Sequence, residues 1–250
     1  MHVRAVAIIP ARYASTRLPG KALASLDGRP MIRHVAERTC QARTITRVIV
    51  ATDDERIAAA VSGTGADVAM TRADHPTGTD RLAEVARDLD VDVVVNVQGD
   101  LPLLDAEMID QLVRRMDEDT ALPMATLAAP LHDEDEWRSP HVVKVVWDEH
   151  GRALYFSRSP LPHHRDAVRA GVPFGWRHIG MYAYRRDVLL RFASLPPTPL
   201  EQSERLEQLR ALEHGIAIGV ERWGGAEPVI EVDVVEDLER AREALSGRVT

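Results

Sequence analysis

The chain has 250 residues, of which 45% are hydrophobic and 28% charged, and its formal net charge is −8. This acidic balance speaks against a general nucleic-acid binder, which presents a basic footprint, so a polyanionic ligand has to be held by cations gathered locally. A single cysteine, Cys40, excludes an intrachain disulfide framework and fits a reducing, cytoplasmic setting. The apolar stretch VRAVAIIP is short and interrupted by Arg4, so it does not read as a secretory signal. No run approaches the roughly 20 apolar residues that cross a bilayer.

In chain order, AVAIIP reads as a strand and MIRHVAERTCQA as a helix with apolar residues at helical spacing. RVIVATD reads as a strand, and DERIAAAVS as a helix ending near Gly63. DVAMTR is a short strand, followed by the helix GTDRLAEVARDLD. VDVVVNVQGD is a continuous apolar run of the kind buried on both faces of a parallel sheet. This βαβ rhythm predicts a doubly wound, mostly parallel α/β sheet with ligands at the carboxyl ends of its strands. The second half is less regular. MATLAAPL, HVVKVVWD, ALYFSRSPLP and HIGMYAYR follow as strands and suggest a mixed or antiparallel extension. Helices are expected across 186–194 and 201–214. PVIEVDVVEDLERAREAL closes the chain as a strand, a turn and a terminal helix. With no repeat, low-complexity tract or long linker, one domain over 1–250 is expected.

Three stretches carry chemistry. IIPARYASTRLPGK, residues 8–21, places Arg12, Arg17 and Lys21 on a loop with Pro10, Pro19 and Gly20. Such a loop after a first strand is either an exposed basic turn or a cradle for phosphates. It is not a P-loop, because the G-x-x-x-x-G-K-[ST] spacing is missing, and the near dinucleotide fingerprint GTGADV lacks its third glycine. In NVQGD, Asp100 sits where the long apolar run ends. There it either caps a turn or holds Mg²⁺, an ion that takes one or two carboxylates plus phosphate oxygens. VIEVD repeats the arrangement with Asp233. Together these point to metal-assisted nucleotidyl transfer. The neighbouring His163 and His164 do not make a metal pair, since adjacent residues on an extended chain point opposite ways.

The motifs IIPARYASTRLPGKAL, VIVATDDERI, MTRADHPTGTDRLAEV, VVVNVQGDLP, HVVKVVWDEHGRALYFSRSPLP, RHIGMYAYR, PLEQSERLEQLR and DVVEDLERAR resemble, in order and over nearly the whole chain, those of the 3-deoxy-manno-octulosonate (KDO) cytidylyltransferases. The resemblance implies a Rossmann-like nucleotidyltransferase fold and transfer of CMP from CTP to an acidic acceptor, with Mg²⁺ as cofactor and pyrophosphate released. It implies that Arg12, Arg17 and Lys21 hold the triphosphate and that Asp100 and Asp233 hold the metal. Arg12, Lys21, Asp100 and Asp233 form the implied catalytic set. It further implies that Arg72, Gly78 and Thr79 lie near the base or ribose, with Gln98 facing nucleotide or acceptor. On the acceptor side it points to Arg158 and Arg165, to His178 and Tyr182 on one strand face, and to Glu204 and Gln208. The last two are four apart and therefore predicted on one helix face. Residues 1–130 would form mainly the CTP half, 131–215 the acceptor and dimerisation region, and 216–250 the return strand and terminal helix. A cytoplasmic homodimer is implied, with neither nucleic acid nor membrane as partner.

Two departures bear on the acceptor. Leu101 stands where the family usually has Glu after QGD, and His163-His164 replace a common Trp-Asp. KDO is the preferred acceptor; phosphonoformate or another sugar acid is the alternative, because a lost anion and two added imidazoles favour a smaller or more highly charged acid. A reading from another class is a nucleotide-binding module without catalysis, against which the intact set Arg12, Lys21, Asp100 and Asp233 speaks.

Overall fold

The first apolar run becomes strand β1 (Ala5–Ala11), buried almost throughout because it lies between two parallel neighbours. In the computed structural model, which describes residues 3–14, 18–225 and 229–247, a two-residue hairpin of β2 (Ser25–Leu26) and β3 (Arg29–Pro30) leads into α1 (Met31–Thr39). The chain continues through β4 (Ile45–Thr52), α2 (Glu55–Ala60), β5 (Asp67–Met70), α3 (Gly78–Ala86), β6 (Val93–Asn96) and α4 (Ala106–Glu118). Local chemistry starts these helices. The Asp54 carboxylate accepts from Arg56 N at 2.9 Å, Thr77 and Asp80 form a reciprocal capping box, and Asp105 accepts from Glu107 N at 2.9 Å.

After β7 (Met124–Leu131) come α5 (Glu134–Arg138), β8 (Lys144–Trp147), β9 (Ala153–Ser157) and β10 (Gly175–Arg185). The chain then forms α6 (Arg186–Ala193), α7 (Pro199–Glu204), α8 (Gln208–Glu213), β11 (Ile218–Arg222) and α9 (Val235–Leu245). The main sheet has the order β11-β7-β10-β6-β1-β4-β5. The β5, β4, β1 and β6 neighbours pair in parallel, as do β7 and β11, while β10 runs antiparallel between β6 and β7. The β8–β9 ribbon joins β10 through Lys144 and Arg177. The chain leaves β1 in one direction toward β5 and returns on its other side as β6. This reversal opens a crevice at the carboxyl ends of β1 and β6, where a sheet of this kind receives its ligand.

The expected doubly wound sheet with an antiparallel extension is present, with corrections. The helix expected over 201–214 is two helices. Arg205 takes a left-handed φ of 56° and Leu206 N bonds back to Glu201 O, which ends α7 and turns Leu206 and Leu209 into the core. Glu204 and Gln208 therefore lie on different helices and share no face. VIEVD is not a strand. Its alternation reflects burial of Ile230 and Val232 against Leu26, Met31 and Leu238, and Val232 N donates to Asp100 O at 2.9 Å. Strand β6 stops at Asn96, so Asp100 lies on the loop beyond it. Helix α4, unanticipated above, carries buried Met108, Ile109, Leu112, Val113 and Met116 at the spacing of an amphipathic helix. The short α5 and strand β11 are also additions.

Strand β10 begins where two segments press on it. A Cβ at Gly175 would stand 2.5 Å from the Leu161 carbonyl oxygen and 2.9 Å from Trp137 Cδ1. Gly175→Ala is therefore expected to destabilise the protein by about 2 kcal/mol. A thermal melt should show Tm falling by roughly 4–8 °C, and an unchanged Tm would mean that this junction yields freely.

Candidate active site

The loop after β1 and the loop after β6 face each other across the crevice. A turn of 3₁₀ helix over Lys21–Leu23 follows Gly20, whose φ of 68° is open to glycine at little cost and where a Cβ would meet the Tyr13 ring at 3.2 Å. This turn aims Lys21 at the crevice. Its Nζ donates to Asp100 Oδ2 at 2.7 Å and to Asp233 Oδ1 at 3.1 Å. Burial works against the ammonium, but the charges and hydrogen bonds of the two aspartates outweigh it and leave the Lys21 pKa raised. Arg12 and Gly78 line the same cleft, of about 270 Å³, with Gln98, Asp100 and Asp233. Arg17 lies outside the described residues.

Because one ammonium reaches both Asp100 and Asp233, the two carboxylates converge on a single cation-sized position. No cluster of three or more His, Cys, Asp or Glu suited to a metal occurs among the described residues. That donor set fits Mg²⁺, which completes its octahedron with water and phosphate oxygens and needs no all-protein cage.

On the opposite wall, α3 presents Thr77 and Gly78 at its first turn, with His75 and Arg81 beside them. Arg81 is 3% exposed, 3.1 Å from Asp53, and also donates to Thr71 Oγ1; the His75 ring bonds Glu84. Two expected nucleoside residues lie elsewhere. Arg72 is exposed and pairs with Asp74 at 3.3 Å. Thr79, one step into α3, turns away from the cleft and donates to Glu207 Oε2 at 2.6 Å. His75, Thr77 and Arg81 were missed. The T-x-x-D capping spacing marked this turn, whereas nothing local announces that Arg81 is the buried arginine.

Gln98, Asp100 and Asp233 also line a second hollow of about 900 Å³, walled by Arg158, Arg177, His178, Tyr182, Gln208 and Glu231. A register shift in β10 between Ile179 and Tyr182 turns Gly180 toward Glu231. The His178 and Tyr182 rings pack at a tilt of 45°, with centroids 5.3 Å apart. The Thr126 hydroxyl donates to Met181 O at 2.8 Å, so its 3.1 Å contact with His178 Nε2 needs the imidazole N–H as donor. Nδ1 is then left as an acceptor. Burial pushes the His178 pKa down to about 3. The buried Tyr182 hydroxyl has no partner among the described residues, an arrangement that favours a ligand able to bond it. Glu231 is exposed to the hollow, yet loss of hydration and the nearby charges of Asp100 and Asp233 raise its carboxyl pKa. Arg177, tied to Glu136 at 2.8 Å, was missed along with Glu231.

The remaining acceptor expectations separate. Arg158 lines the hollow, its Nε donating to Glu204 O at 2.9 Å and its Nη1 to Pro140 O at 3.0 Å. Glu204 does not line it. Its carboxylate accepts from Ser157 Oγ at 2.6 Å and from Arg158 N at 2.9 Å, so it braces Arg158 from behind. Arg165 is exposed and borders neither cavity. Leu101 is 2% exposed in the main core. His164 bonds Phe174 O at 2.6 Å and packs on Trp137, and His163 is exposed. None of these three reaches the hollow, because their side chains are drawn into packing or solvent. The physical ground for a smaller acceptor is thereby removed.

Residues 6–218 match the cytidylyltransferase family. The chain is 55% identical to the 3-deoxy-manno-octulosonate cytidylyltransferase of Syntrophotalea carbinolica over 247 residues, covering 96% of this chain and 98% of that protein. It is 52% identical to the enzyme of that name from Geobacter sulfurreducens, with the same coverage. A solved CMP:2-keto-3-deoxy-manno-octonic acid synthetase complexed with CTP superposes with a TM-score of 0.90 at 43% identity, over 98% of this chain and 100% of that one.

The His178 environment sets an acid limit on stability. Its folded pKa of about 3 lies below the ordinary 6.5. As pH falls through that window the unfolded chain takes up a proton that the folded one refuses, and stability is lost at up to about 1.4 kcal/mol per pH unit. His178→Gln should flatten the fall in unfolding free energy between roughly pH 6 and pH 4 by about one proton. Denaturant titrations at several pH values measure this; equal slopes in both proteins would mean that His178 is charged in the fold.

Proposed function

Since the chain belongs to the 3-deoxy-manno-octulosonate cytidylyltransferase family, we propose that its two joined cavities bind CTP and KDO and form CMP-KDO for lipopolysaccharide synthesis. The observation that carries this reading is the meeting of the two cavities at Gln98, Asp100 and Asp233. A nucleotide bound on one side and an acid on the other would react across these three residues.

Transfer needs no protein nucleophile. An acceptor hydroxyl oxygen attacks the α-phosphorus, the α–β bridging bond breaks, and pyrophosphate leaves in line, so positioning and charge neutralisation supply the catalysis. Arg12, Lys21 and Arg17 would hold the triphosphate, and Gly78 and Gln98 would border the nucleoside. Asp100 and Asp233 would hold Mg²⁺, which neutralises phosphate charge and lowers the pKa of an attacking hydroxyl. When the triphosphate arrives, Lys21 would exchange its carboxylate partners for phosphate oxygens. Arg158 would grip the acceptor carboxylate, with His178 Nδ1, the Tyr182 hydroxyl and Gln208 hydrogen-bonding its hydroxyls. The second hollow is large enough for an eight-carbon sugar acid. Apart from Asp233 the first cavity is lined from 1–130, in keeping with a CTP half there, while the second draws on 131–215 and also on Gln98, Asp100 and 229–240, so the closing segment 216–250 would serve the acceptor side too. A cytoplasmic homodimer belongs to the same proposal.

The test is pyrophosphate release from CTP and Mg²⁺ with KDO, with phosphonoformate, or with no acceptor. Turnover with KDO is expected. Turnover with phosphonoformate alone would replace the acceptor, and silence with both, despite CTP binding, would overturn the KDO reading. Asp100→Asn and Asp233→Asn should each lower turnover by at least about 10²-fold while leaving the thermal melt in place. Wild-type turnover in both variants would refute the metal assignment.

A further inference from the structure

Only two of the 31 basic residues are lysine, Lys21 and Lys144. The first is in the cleft. The second is 0% exposed, at the start of β8, and no step of the reaction described above uses it. Its Nζ donates to three main-chain carbonyls, Ser139 O at 2.8 Å, Val142 O at 2.6 Å and Arg158 O at 2.6 Å. An ammonium has three N–H donors in a compact tetrahedral array, and here all three are matched, which makes its burial tolerable. A planar guanidinium with five donors on a longer stem does not fit that set, which gives lysine a physical reason to persist in an arginine-rich chain. Burial and the neighbouring Arg158 charge pull the Lys144 pKa down to about 8, so the amine remains mostly protonated at neutral pH.

The three carbonyls belong to two segments that wall the acceptor hollow. Ser139 and Val142 flank the loop after α5, and Arg158 follows β9; all three line the hollow. The Arg158 side chain crosses back to the same loop at Pro140 O, and Val143 O accepts from His178 N at 2.8 Å. One buried ammonium thus sits behind the junction from which Arg158 and His178 both face the acceptor.

We propose that Lys144 is a positioning residue of the acceptor site, its ammonium locking the 139–142 loop to the Arg158 backbone and so fixing the guanidinium that receives the acceptor carboxylate. This rests on the reading of Arg158 as the carboxylate grip, which Arg158→Ala tests on its own. If Arg158→Ala leaves the acceptor KM unchanged, that reading falls. If it raises the KM and Lys144→Met does not, only the present inference falls.

The experiment measures steady-state pyrophosphate release by the full-length wild type, Lys144→Met and Lys144→Arg, with KDO and CTP varied in turn. In Lys144→Met the KM for KDO should rise roughly tenfold to a hundredfold, with the KM for CTP unchanged. Lys144→Arg should resemble it despite keeping the charge. Equal loss toward both substrates would mean a merely structural role, and a wild-type KDO KM in Lys144→Arg would mean that only charge matters; either overturns the proposal. Should both variants fail to fold, the wild type decides by ¹⁵N-lysine NMR, since two lysines give two side-chain signals. The Lys144 Nζ signal should shift on addition of KDO and hold still on addition of CTP. A signal indifferent to saturating KDO overturns the inference.

Discussion

Two carboxylates 133 residues apart in the chain, Asp100 and Asp233, are held within reach of one ammonium, and the rest of the site is arranged around that charge problem. Like charges at this distance repel, and partial burial strengthens the repulsion. The contact between Lys21 and both aspartates relieves it, and in doing so ties the loop after β1, the loop after β6 and the segment before α9 to one point. The Val232–Asp100 main-chain bond fastens the last two together independently of charge. The fold therefore holds both carboxylates on one cation, the Lys21 ammonium, at the point where the two cavities meet.

The sheet was legible because its strands are nearly pure pattern. VVVN is buried on both faces, and such runs admit few other readings. Helix α3 was legible in GTDRLAEVARDLD, and the structure adds the Thr77–Asp80 capping box that starts it. What the sequence hid was long-range. VIEVD alternates like a strand, yet its apolar residues fill a small core with Leu26 and Met31 instead of pairing. The break at Arg205 has no local marker, since neither Gly nor Pro is there; it exists because Leu206 and Leu209 have to enter the core. Of two arginines in TRADHPTGTDR, composition does not say which is buried, and only the packing of α3 against β1 and β4 puts Arg81 inside and Arg72 out.

Of the residues the resemblance assigned to the acceptor, some line one hollow and others do not. Arg158, His178, Tyr182 and Gln208 face the hollow, while Glu204 supports Arg158 and Arg165 stands apart. A residue that braces a binding residue and one that binds look alike in a motif, because a motif records spacing and not direction. The same limit misled the weight given to Leu101, His163 and His164, whose differences from the family spend themselves in packing and solvent.

Strand β10 has a consequence for how this scaffold can change. It runs against its neighbour β6, with Tyr182 paired opposite Asn96 at the carboxyl end of that strand. Its earlier residues, 175–181, therefore run past the carboxyl end of β6 while staying paired to β7 through residue 179. One wall of the hollow is thereby a paired strand carrying Arg177, His178 and Gly180, alongside the loop residues Ser139, His141 and Val142. Shifts in preference toward other acids should accordingly follow both from single exchanges on the inward face of that strand and from changes in the 139–142 loop that holds Arg158.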